Sequence, residues 1–190
     1  MRLRFVTGNP GKAGELRGLL SPLGVEVFQD PRGYPEIQAA TLEEVAKAGA
    51  AWLQAQGCPP PFVLEDSGLF VAALKGFPGV YSRYALDTLG CDGLLRLLRE
   101  TPARDRGAEF RASLAYVDPT GATHLFSGTC RGRIAERPAG GGGFGFDPLF
   151  LPEGASRTFA EMDPVEKGRR SHRGEAARAF SAFLEKAAKR

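Results

Sequence analysis

The sequence predicts an α/β protein folded as one compact unit over residues 1–190, and three observations carry that prediction. The chain has 190 residues, of which 43% are hydrophobic and 25% charged, enough to bury a core without disulfides or a structural metal. Its first quarter alternates short apolar runs with helical spacing. Its second half holds two long strand-like runs joined by a turn, followed by an amphipathic closing segment.

In order along the chain, Leu3 to Val6 is a short strand ending at the turn Thr7-Gly8-Asn9-Pro10-Gly11, and Lys12 to Leu20 is helical through Leu16, Leu19 and Leu20. Val25 to Phe28 alternates as a second strand. Thr41 to Gln54 is a helix capped by Thr41 with Glu44, its inner face made by Leu42, Val45, Ala46, Gly49 and Leu53. Phe62 to Leu64 reads as a buried strand running into a polar turn, Glu65-Asp66-Ser67-Gly68, and then Leu69 to Val71. A helix over Asp92 to Arg99 precedes two long strands, Glu109 to Val117 and His124 to Ile134, joined as a hairpin through Asp118-Pro119-Thr120-Gly121. Gly140 to Gly145 has five glycines in six positions and reads as a binding loop, and Gly174 to Lys189 as the closing helix.

Composition narrows the function classes. The three cysteines, Cys58, Cys91 and Cys130, lack Cys-x-x-Cys spacing and suggest neither a disulfide framework nor a zinc site. No apolar run approaches the ~20 residues of a membrane span, and the first residues show no export signal, so the expectation is a cytoplasmic protein with no membrane partner. The formal charge of +3 comes from scattered basic residues among 22 acids, without the basic stripe and interleaved aromatics of a nucleic-acid surface. A polyanionic small molecule accounts for that charge equally well.

Four segments offer chemistry. The turn at Thr7, Gly8, Asn9 and Lys12 lies between strand and helix, where backbone N–H groups and the helix dipole attract phosphate and a lysine adds charge. It is not a P-loop, since Lys12 follows too short a loop and precedes Ala13; an ordinary glycine-rich turn is the competing reading. Glu65 and Asp66 are oxygen donors suited to Mg²⁺, and one could activate a water, although an acidic pair in a turn is also a common surface feature. Phe144, Gly145, Phe146 and Asp147 place aromatic faces beside permissive backbone, as a purine site or as core. Lys167, Ser171, His172 and Arg173 crowd the start of the last helix, as donors for a ligand or as a solvated helix end.

Together, Thr7 to Lys12, Glu65 to Leu69, Pro78-Gly79-Val80-Tyr81-Ser82, Gly143 to Pro148 and Ser171-His172-Arg173 resemble the Ham1 family of inosine and xanthosine triphosphate pyrophosphatases, in order and spacing. Glu36-Ile37-Gln38, Thr41 to Glu44 and Phe159 to Met162 resemble its archaeal-type branch. The resemblance implies an elongated, two-lobed mixed α/β fold with a long central mixed sheet and a cleft between the lobes, a homodimer, and hydrolysis of dITP, ITP, XTP or dXTP to the monophosphate and pyrophosphate. It implies Lys12 with Thr7, Gly8 and Asn9 on phosphate, with Ser67 also on substrate. It implies one or more Mg²⁺ ions per site on Glu36 and Asp66, and Asp66 as the base for water. Phe144, Gly145, Phe146, Asp147, Lys167, Ser171, His172 and Arg173 would make the base pocket. Many bacterial members have Asp-Asp where this chain has Glu65-Asp66, and Lys47 is offset by one residue from the family's helical lysine. A pyrophosphatase of broader or modified-nucleotide specificity and a non-catalytic nucleotide-binding module remain as alternatives.

Overall fold

The computed structural model describes residues 1–188. Six strands, β1 (Arg2–Val6), β2 (Glu26–Asp30), β3 (Phe62–Val71), β4 (Gly107–Val117), β5 (Thr123–Ile134) and β6 (Phe150–Pro152), form one mixed sheet in the order β2-β1-β3-β4-β5-β6. Its helices are α1 (Pro10–Leu20), α2 (Leu42–Ala55), α3 (Ser82–Thr88), α4 (Gly90–Leu97), α5 (Pro164–Arg170) and α6 (His172–Ala188). β1 pairs in parallel with β2 and with β3, which is why helices must intervene between these strands in sequence, while β5 and β6 pair antiparallel. The chain divides into two compact units, the first made of residues 1–66, 112–128 and the last helix, the second of residues 67–111 and 129–171.

In the first unit the period-two alternation of the strands supplies both faces of the sheet. Leu3, Phe5, Val63, Ala112, Leu114 and Tyr116 pack against Ala13, Leu16 and Leu20 of α1 and Ala176, Ala177 and Phe180 of α6. The opposite face, Val6, Phe62, Leu64, Ala115 and Val117, packs against Ala46, Ala50 and Leu53 of α2. Helix α2 has the capping box its sequence announces: the Glu44 N–H donates to Thr41 Oγ1 at 3.2 Å and the Thr41 N–H to Glu44 at 3.1 Å. The closing helix starts two residues earlier than its spacing suggests, at His172, and Ala187 is exposed; Lys189 lies outside the described residues.

In the second unit Leu69, Val71, Ala108, Phe110, Cys130, Ile134 and Phe150 share one core with Ala85 and Leu94 of α3 and α4, with Phe146 and Leu149, and with Phe159 and Met162. Arg106 is buried at 6% exposure and donates to the carbonyls of Leu98, Thr101 and Ala135, joining the segment after α4 to the end of β5.

The expected polar turn at Glu65 to Gly68 is a correction: β3 runs unbroken for 10 residues through it. Polarity predicts exposure only when a charge has no partner inside the fold, and Glu65 has several. Helices α3 and α5 and the short β6 also escape the sequence reading, each being under two helical turns or three residues long.

Candidate active site

Strand β1 ends at Val6, and Asn9 caps α1 by accepting the Lys12 N–H at 3.1 Å, while Thr7 Oγ1 accepts the Asn9 N–H at 3.1 Å. The turn is anchored to β2, because the Thr7 N–H donates to the Asp30 carbonyl at 3.0 Å and Gln29 Nε2 to the Thr7 carbonyl at 2.9 Å. Gly8 is exposed, and nothing lies within 4 Å of where a β-carbon would stand. Lys12 turns inward from α1 and its Nζ donates to the Glu65 carbonyl at 3.2 Å, with Glu65 Oε1 at 3.5 Å.

Glu65 is 3% exposed and receives Arg173 in a fork, Nε to Oε2 at 2.5 Å and Nη2 to Oε1 at 2.7 Å. Arg173, at 1% exposure, also donates through Nη1 to Glu15 of α1. Burial pushes the Glu65 carboxyl up, but the charges of Arg173, Lys12 and His172 and the hydrogen bonds from Arg173 outweigh it and hold the group at about 2. The same carboxylates hold the Arg173 guanidinium firmly protonated against the opposing effect of its own burial. Glu15 was invisible as a functional residue in sequence; the signal was its position three residues after Lys12, on the same face of α1.

Successive side chains on a strand point to opposite faces. Glu65 shares its face with Val63 and meets α1 and α6, whereas Asp66, 8% exposed, shares its face with Phe62 and Leu64 on the α2 side. On that side Tyr34 packs against the same core cluster. Burial raises its hydroxyl far above the usual range, and the negative charges of Asp66, Glu36 and Glu65 raise it further. Glu36 itself is exposed in the loop that follows β2.

Among the described residues no three His, Cys, Asp or Glu side chains cluster closely enough to hold an ion alone. Two carboxylates nevertheless fit a hard divalent cation that completes its shell with waters and substrate phosphates, as Mg²⁺ does. Lys47 lies exposed on α2, away from the buried positions of that helix.

In the second unit the glycine-rich loop is built around Asp147, which is 3% exposed. Its Oδ2 accepts the Phe144 N–H at 2.7 Å and Lys167 Nζ at 2.6 Å, and Lys167 also lies 4.6 Å from the centroid of the Phe144 ring and 5.6 Å from that of Phe159. Gly143 adopts φ +69°, and a β-carbon there would stand 2.2 Å from Asp147 Oδ2, so both conformation and space require glycine. The two aromatic rings differ: Phe146 is a core residue at 3% exposure, while Phe144 is half-buried. The Pro78 to Ser82 block is structural, since Ser82 Oγ accepts the Leu69 N–H and donates to the Gly79 carbonyl, both at 2.7 Å. Ser67 is partly buried on β3, and Ser171, at 1% exposure, follows α5, its N–H donating to the Lys167 carbonyl at 2.8 Å.

The six-stranded mixed sheet and its helices place the chain among α/β proteins. The Ham1 family model matches residues 3–183, and the chain belongs to that family. It is 58% identical over 184 residues to a dITP/XTP pyrophosphatase of Thermococcus kodakarensis, covering 97% of each chain, and 47% identical over 185 residues to that of Pyrococcus horikoshii, again covering 97% of each. Among solved structures it resembles the Ham1 protein of Staphylococcus aureus, with a TM-score of 0.82 and 31% identity over 98% of this chain and 100% of that one.

Proposed function

We infer that this protein is a dITP/XTP pyrophosphatase, hydrolysing non-standard purine nucleoside triphosphates. Support comes from relatives of that name, alike over nearly the whole chain. The observation that carries the residue assignment is the division between Glu65, engaged by Arg173 and Lys12, and Asp66, on the other face of the same strand.

The turn Thr7 to Asn9 and Lys12 hold the triphosphate, where the positive end of α1 and the lysine charge favour anions. Ser67 adds a hydroxyl on the substrate. Glu36 and Asp66 hold Mg²⁺, one ion or more, which when bound neutralises charge on the phosphates. Asp66 takes a proton from water as the water oxygen bonds to the α-phosphorus. The bond from that phosphorus to the bridging oxygen breaks, and pyrophosphate departs with the bridging electron pair while the monophosphate remains. Lys12 stabilises the charge that accumulates on the departing group.

Base recognition belongs to the loop around Asp147. The half-buried Phe144 ring stacks on the purine, and Gly145, Asp147, Lys167 and Ser171 shape its surroundings, with Phe146 supporting the loop from within the core. His172 would contribute a donor that favours a 6-keto over a 6-amino purine, since a donor left unmatched in a buried site is costly, and Arg173, engaged by Glu65 and Glu15, would hold the start of α6 in place for it. The same reading makes the chain a single catalytic domain that works as a cytoplasmic homodimer, which light scattering would register at the mass of two chains.

The test is pyrophosphate release from a panel of nucleotides with Mg²⁺. Faster turnover of dITP and XTP than of dATP and dGTP is the expected result, and equal rates would remove the selectivity. Asp66→Asn should lower turnover by about 10²–10⁴-fold; activity near wild type would remove the base.

A further inference from the structure

The loop between β2 and α2 carries Glu36, yet its ends are tied far better than its middle. At one end Asp30 accepts from Arg4 at 2.5 Å and from the Arg32 N–H at 3.1 Å. At the other the Ala40 and Thr41 N–H groups both donate to Glu44 at 3.1 Å. Between Gly33 and Ala40 only Tyr34 and Ala39 are withdrawn from solvent, and Glu36 is exposed. A carboxylate on such a segment has no fixed position unless something holds the backbone beside it.

Tyr34 supplies the hold. Its ring packs on the core cluster that includes Phe62, Leu64, Ala46 and Ala50. It lies directly over Gly49 of α2: a β-carbon at that residue would stand 2.7 Å from Cδ2 and 2.8 Å from Cε2 of the ring, and 3.5 Å from Leu64. Gly49 is buried in the interior of a helix, where glycine is otherwise unfavourable by about 1 kcal/mol against alanine, so the ring's seat gives that residue a reason. Leu64 lies two residues before Asp66 on the same strand face. Tyr34 therefore joins the Glu36 loop to the face of β3 that presents Asp66.

We propose that Tyr34 is a positioning residue for the metal pair: its ring, seated on Gly49, fixes the loop so that Glu36 is presented with Asp66. This rests on the reading of Glu36 and Asp66 as metal ligands.

The experiment measures Mn²⁺ affinity by electron paramagnetic resonance, with a non-hydrolysable dITP analogue bound, in the wild type and in Tyr34→Ala, Tyr34→Phe, Gly49→Ala and Glu36→Gln. Trypsin cleavage after Arg32 reports on the loop. Tyr34→Ala should weaken Mn²⁺ about 10-fold or more and speed cleavage at Arg32, with Tyr34→Phe close to wild type on both, because the ring rather than the hydroxyl is the tether. Gly49→Ala, which keeps the tyrosine but fills its seat, should reproduce Tyr34→Ala and carries the test if that variant fails to fold. If Glu36→Gln weakens Mn²⁺ while Tyr34→Ala and Gly49→Ala do not, the positioning role is overturned and the metal reading stands. If Glu36→Gln leaves Mn²⁺ unchanged, the metal reading falls and takes the inference with it.

Discussion

The guanidinium of Arg173, at 1% exposure, is shared by two carboxylates from distant parts of the sequence, Glu15 and Glu65. Removing one carboxylate leaves a buried cation with one partner, and breaking buried pairs in this way costs on the order of 3–5 kcal/mol. Glu65→Gln should therefore lower the free energy of unfolding by roughly 3 kcal/mol in a urea titration, even though the amide keeps the shape. A loss under about 1 kcal/mol would mean that Glu15 alone suffices for Arg173. Lys12→Met tests a different role. In the mechanism we propose, Lys12 adds charge where pyrophosphate departs, so turnover should fall by about 10²-fold or more, a loss of about 3 kcal/mol in transition-state stabilisation. Much of this was hidden in the sequence. Glu65 and Asp66 are adjacent letters of the same chemistry, and the pleat of the strand and the arrival of Arg173 from 108 residues away separate the carboxylate held in a buried ion pair from the one we propose as the base.

Elements with a local signature were legible. The spacing of Leu42, Val45, Ala46, Gly49 and Leu53 and the Thr41–Glu44 box are properties of one segment, and all five of those positions are buried. Thr41→Ala should lose about 1 kcal/mol, read as a lower midpoint in the same titration. What the sequence did not disclose is where elements approach each other. Gly128 on β5 is an example: a β-carbon there would stand 2.1 Å from the His172 carbonyl oxygen and 2.6 Å from the Ala176 N, both backbone atoms of α6. Backbone cannot rotate aside as a side chain can, so Gly128→Ala must displace the start of α6, costing roughly 1–3 kcal/mol. Arg173 sits in that first turn, so the variant should also lose activity, whereas Thr41→Ala should keep it. Assaying both at a temperature where each is fully folded separates the two effects.

At the scale of the whole chain, the α/β class follows from composition and from alternation between apolar periods, but β3 could not be read through its charged centre. Partners from α1 and α6 reach Glu65 and stabilise a strand that holds charge at its centre, and partners so distant leave no periodicity. That arrangement makes the stability of the fold depend on pH. Glu65 titrates at about 2 in the folded protein against an ordinary value of 4.5, so the folded state favours its ionised form. A depressed folded pKa contributes stability that is complete above the unfolded value and is lost as pH falls through the folded one. The window is therefore from about pH 5 down to about pH 2, and the contribution is on the order of 3 kcal/mol at neutral pH. Melting curves of the wild type across that window should fall more steeply than those of Glu65→Gln, because the amide has no proton to gain. The two curves should converge toward pH 2, where the wild-type carboxyl is half protonated. Parallel curves would show that the clamp between α1, β3 and α6 does not govern acid stability.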